Sequence, residues 1–89
     1  MNEIDRSREL YRYISKELRE VRKSKNLNLT EVSSYLGISP SFLSQIERGN
    51  RDMISLYYYL KLAEYFNVDI KEIIKNAQMR MEIEQSLDS

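Results

Sequence analysis

The stretch Gly37-Ile38-Ser39-Pro40-Ser41-Phe42-Leu43-Ser44-Gln45-Ile46-Glu47-Arg48-Gly49 decides the fold. Gly37 closes the helix before it, because glycine reaches the positive φ that a helix end requires. Ser39 offers a side-chain oxygen as N-cap. Pro40 fits the first helical position, where the missing N–H removes no bond. The helix that follows stops at Gly49. Within it Phe42, Leu43 and Ile46 point one way. Ser41, Ser44, Gln45 and Arg48 follow an i, i+3, i+4, i+7 spacing and form a polar stripe on the other face.

Working upstream, Asn28-Leu29-Thr30-Glu31 sets an N-cap residue three positions before a glutamate, a capping box with Asn in the Ser/Thr slot. A short helix through Val32 and Leu36 follows. Two short helices therefore flank a break at Gly37-Ile38-Ser39. Before them, Leu10, Ile14, Leu18 and Val21 make one apolar helical stripe with Tyr11 beside it, and Arg12, Lys16, Arg19, Arg22 and Lys23 cover much of the rest. Asn2, Asp5 and Ser7 each suit the start of this helix, which the spacing places from near residue 3 to near residue 25.

Downstream, Ser55 caps a helix that turns Leu56, Tyr59, Leu60 and Ala63 inward, with Phe66 further along. Asp69-Ile70-Lys71-Glu72 repeats the cap pattern before Ile73 and Ile74. The chain reads as all-α, a compact five-helix bundle with a long first helix. Residues 1–13 form an N-terminal helical extension, residues 14–74 the central domain and residues 75–89 a tail. Ile74, Ala77 and Met81 keep a weak helical spacing into that tail. Extension of the fifth helix, a partner-binding helix and a frayed end all fit it.

Composition removes whole classes of chemistry. The 89 residues include no cysteine and no histidine, so thiolate zinc, disulfides, cysteine nucleophiles and histidine-based catalysis are excluded. No carboxylate pair has a recognisable catalytic spacing and no glycine-rich phosphate loop occurs, so neither an enzyme nor a cofactor site is expected. The longest apolar run, Leu56-Tyr57-Tyr58-Tyr59-Leu60, falls far short of the ~20 residues of a membrane span. With no signal segment, a cytoplasmic location is the expectation. Fourteen basic and fourteen acidic residues cancel, but unevenly. Residues 1–25 carry eight basic and five acidic groups, and residues 52–89 carry four and seven. Such a gradient orients the N-terminal half toward a polyanion.

Helix, short break and helix is the geometry of a helix-turn-helix unit. With Leu18-Arg19-Glu20-Val21-Arg22 before it and Leu60-Lys61-Leu62-Ala63-Glu64 after it, the Gly37-to-Gly49 stretch resembles the Cro/repressor-type helix-turn-helix domain of the Xre family over residues 14–74. The resemblance implies a five-helix DNA-binding domain acting as a transcriptional repressor. Two copies then place their recognition helices in successive major grooves ~34 Å apart, on an inverted repeat. The expected partners are double-stranded DNA and a second copy of the chain, with no small-molecule ligand evident. An antitoxin-like or anti-repressor module, binding another protein through the same fold, is the alternative.

On the polar stripe alone, a solvated helix face is the better account, because most such stripes are merely solvated. The surrounding motif decides for the groove. By resemblance Ser41, Ser44 and Gln45 match positions that reach base edges, and Pro40 matches another that offers only apolar contact. Gln45 is the foremost of them, able to form a bidentate pair with adenine. Arg48, Asn50 and Arg51 match phosphate-contacting positions, which set register and salt dependence rather than sequence. Leu29 stands where the family commonly has a phosphate-contacting glutamine, leaving Asn28, Thr30, the Ser39 cap and helix N–H groups to hold the backbone. The loop after Arg51 is one residue longer, with Met53 and Ile54 where the family often has Asn-Pro.

Arg22 and Glu47 match a pair that forms an internal salt bridge in the family. Tyr57, Tyr58 and Tyr59 cannot all face the core, since neighbours on a helix are ~100° apart. Tyr57 matches a position near the DNA backbone, and partial burial, a phosphate contact and a dimer contact all suit it. Tyr57, Tyr58, Tyr65, Met79, Met81, Ile83 and Leu87 are the candidate dimer contacts.

Overall fold

A computed structural model describes residues 5–87. Five helices fill it: α1 (Arg6–Ser24), α2 (Leu29–Leu36), α3 (Pro40–Arg48), α4 (Leu56–Phe66) and α5 (Ile70–Leu87). No strand occurs among the described residues, and the architecture is all-α. Asp5 caps α1, its carboxylate accepting from the Arg8 N–H at 3.1 Å. Asn2 and a start near residue 3 lie outside the described residues.

The remaining helix ends follow from local chemistry. Asn28 and Glu31 close a reciprocal capping box, with the Glu31 N–H donating to Asn28 Oδ1 at 2.8 Å and the Asn28 N–H donating to Glu31 Oε1 at 3.2 Å. Ser39 Oγ accepts from the Phe42 N–H at 3.0 Å, ahead of Pro40. Ser55 caps α4 and Asp69 accepts from the Lys71 N–H at 2.9 Å. Each cap satisfies a donor that the helix itself leaves unpaired.

Leu18, Val32, Leu43, Ile46, Tyr59, Leu62, Phe66 and Ile73 form the core. All five helices contribute to it. In α4 the inward stripe is Tyr59, Leu62, Ala63 and Phe66, spaced i, i+3, i+4, i+7. This corrects the expectation for Leu56 and Leu60, which are 64% and 45% exposed. Leu60 lies ~100° around the helix from Tyr59 and so turns off that stripe. Leu56 belongs to the first turn and lines an apolar cavity with Tyr11, Ile14, Ile54 and Ile70.

The C-terminal segment extends α5 as one helix packed most extensively on α1. Ile73, Ala77 and Met81, spaced by four, are its buried face. Met81 is 4% exposed, which removes it from the candidate dimer contacts. Met79, Ile83 and Leu87 carry the opposite, exposed stripe. No described helix is long and apolar enough to cross a membrane.

Candidate nucleic-acid interface

Gly37, at φ 74°, and Ser39 turn the chain so that α3 packs on α2 with its apolar side down. Leu43 and Ile46 are fully buried, and Phe42 is half-buried, edge-on to Tyr58 with ring centroids 6.0 Å apart. The other face of α3 presents Ser41 and Arg48 exposed and Ser44 and Gln45 half-buried. Pro40 and Ser39 are exposed at its N-terminus.

A charged residue lies on the buried side of α3 and ties it to α1. Glu47 is 4% exposed and meets Arg22 of α1 through two bonds, Nε to Oε2 at 2.7 Å and Nη2 to Oε1 at 3.1 Å. Arg22 also donates from Nη1 to the Leu27 carbonyl at 2.7 Å. One guanidinium thus ties α1, the turn into α2 and α3. A planar fork suits this where an ammonium does not.

Past α3 the chain turns sharply at Gly49, φ 66°. There α1 comes so close that a Cβ on Gly49 would lie 3.0 Å from the Arg12 Cα. The N-terminal half of α1 then holds the following loop at three points. Arg12 Nε donates to the Gly49 carbonyl at 3.3 Å, and the Tyr11 hydroxyl donates to the Arg51 carbonyl at 2.9 Å. Arg8 pairs with Asp52 at 2.8 Å. Asn50 and Arg51 are exposed on this loop, and Arg51 donates to Gln45 Oε1 at 3.3 Å. Sequence reasoning did not find Arg8, Tyr11 and Arg12 as loop supports. Their partners lie about forty residues away, and no local spacing signals such a contact.

Asn28 and Thr30 are exposed at the start of α2, and the Asn28 oxygen is committed to its cap. Tyr57 is 60% exposed at the start of α4. A second cluster joins α2 to α4: the Tyr35 hydroxyl donates to Glu64 at 3.0 Å, and Tyr35 stacks on Tyr65 with centroids 4.5 Å apart. Lys61 lies over the Tyr35 ring at 4.6 Å, and its hydrogen bond to Tyr35 raises its pKa. Tyr65 is therefore largely occupied within its own chain. Tyr58 is half-buried between Phe42 and Tyr57. Among the described residues no acidic cluster is placed to hold a metal ion.

This geometry defines a helix-turn-helix unit, α2 and α3, braced by α1 and α4. The helix-turn-helix family model matches residues 18–73, and the chain belongs to that family, of the Cro/repressor, Xre-like type. Two solved structures of the clp gene regulator ClgR from Corynebacterium glutamicum share the fold. One superposes with a TM-score of 0.81 at 22% identity, covering 89% of this chain and 83% of that one. The other gives 0.73 at 24% identity, covering 81% and 92%. No match to the chain is found among curated proteins.

Proposed function

We propose that this chain is a sequence-specific DNA-binding transcriptional regulator that acts as a repressor, by binding alone. The observation that carries the proposal is the exposed polar edge of α3, held in place by the buried Arg22–Glu47 pair beneath it. Ser41, Ser44 and Gln45 take the base-reading role, with Pro40 supplying apolar contact. Asn28, Thr30, Ser39, Arg48, Asn50, Arg51 and Tyr57 take the backbone role. A recognition helix with hydroxyl and amide groups outward matches the donors and acceptors of the major groove.

The acting species is a homodimer on an inverted repeat, since two recognition helices ~34 Å apart fit successive grooves of one DNA face. The exposed stripe of Met79, Ile83 and Leu87 on α5 supports a protein contact there. The same stripe favours the second reading, an antitoxin-like or anti-repressor module that docks a different protein. Selection of sites from a random duplex pool tests the first reading. An inverted repeat is the expected outcome, and recovery of no preferred sequence rejects it.

A further inference from the structure

Arg51 sits just past the recognition helix, yet its side chain turns back onto it. Nη1 donates to Gln45 Oε1 at 3.3 Å, and the guanidinium carbon lies 5.2 Å from the centroid of the Phe42 ring. The Arg51 backbone is fixed as well, because its carbonyl accepts from Tyr11. On either side, Arg12 holds the Gly49 carbonyl and Arg8 holds Asp52. The arginine is thus pinned through its main chain, its neighbours and its ring contact.

A guanidinium has only donors, so it can meet only the oxygen of an amide. Its bond to Gln45 therefore sets which end of that amide faces away. A glutamine left to itself reads adenine by accepting from N6–H and donating to N7. With Oε1 engaged by Arg51, the outward edge of Gln45 is the Nε2–H2 group. Guanine presents two acceptors in the major groove, O6 and N7, and so complements an edge made of donors.

Resting on the DNA-binding reading above, we propose that Arg51 determines base specificity by positioning Gln45, so that the pair reads guanine rather than adenine. Arg51 accordingly has two roles: its charge draws phosphate, and its fork holds the reading amide. A lysine supplies the charge without the fork.

The test is site selection from a random duplex pool with the full chain, its Gln45→Ala variant, and the variants Arg51→Met and Arg51→Lys. Side-chain amide relaxation of Gln45 in the free protein accompanies it. Gln45→Ala identifies the base position that depends on Gln45. Wild type is expected to recover guanine there. Both Arg51 variants are expected to lose about tenfold of that discrimination, the size of one good base contact. Preferences elsewhere in the site stay, Arg51→Lys keeps the salt dependence, and the Gln45 amide becomes more mobile in both. Adenine at that position in wild type, uniform weakening without a change of preference there, or unchanged amide motion overturns the proposal and leaves the DNA-binding reading standing. A wild-type chain with no preferred site overturns both.

Discussion

Arg22 and Glu47, 25 residues apart, form a buried two-point ion pair between α1 and the recognition helix, at 2.7 Å and 3.1 Å. Removing two charges from water offsets most of what their attraction contributes, so the pair fixes geometry more than it adds stability. Glu47→Ala leaves a buried guanidinium without its counter-ion and is expected to cost about 3–5 kcal/mol. An apolar double replacement, Arg22→Met with Glu47→Leu, is expected to cost less than the single change. Urea midpoints of the three proteins check the order.

Gly37 and Gly49 both have positive φ, but only Gly49 faces another helix. Gly37→Ala meets nothing within 4 Å and incurs the left-handed backbone penalty, about 1–2 kcal/mol. Gly49→Ala adds a contact of 3.0 Å with the backbone of Arg12, which no side-chain rotation relieves. Thermal unfolding is expected to rank Gly49→Ala clearly below Gly37→Ala.

Tyr59 is buried, with its hydroxyl 3.0 Å from Ser15 Oγ. Burial pushes its phenol pKa well above the ordinary value, and the Ser15 hydrogen bond opposes this only in part. The unfolded phenol titrates near ~10, so above that pH the unfolded state binds fewer protons than the folded one and stability falls. The contribution is fully present below ~10 and is lost as pH rises toward the folded value. Tyr59→Phe is expected to flatten the alkaline loss, read as the difference in urea midpoints at about pH 9 and pH 11.

On the proposed roles, Arg48 governs affinity and Gln45 governs specificity. Arg48→Ala is expected to weaken binding to every sequence and to lower the slope of log K against log salt by about 0.9, one phosphate contact. Gln45→Ala is expected to relax preference at one base position, by about 1–3 kcal/mol, with the slope unchanged. Fluorescence anisotropy over a salt series on matched and substituted sites measures both.

Ile83 lies in the middle of the exposed stripe of α5, with Met79 and Leu87 on either side. Ile83→Glu places a charge there without touching the core. With the proposed dimer paired through this stripe, the change is expected to shift the sedimenting species from dimer to monomer and to abolish tight binding to an inverted repeat. A variant that still sediments as a dimer moves the interface off this stripe.

Much of the fold was legible because helix ends are local chemistry. Asn28 with Glu31, Ser39 with Pro40, and the two glycines announce their caps within four residues. The polar stripe of α3 was legible too, since helical periodicity alone separates it from Leu43 and Ile46. Periodicity failed where two stripes compete: on α4 it took Leu60 inward in place of Leu62. On α5 it left Met81 among exposed candidates, although Met79, Ile83 and Leu87 are the exposed ones.

By itself, then, the sequence determined the five helices, both ends of α2 and α3 and the polar edge of α3, because each depends on residues within a turn or two of one another. Only the tertiary structure decided which side of α4 and α5 is covered. It alone brings Arg8, Tyr11 and Arg12 to the loop after α3 and sets Arg51 against Gln45. Those contacts arise where helices distant in sequence cross. Their partners are chosen by the packing of the whole core, which no local spacing encodes.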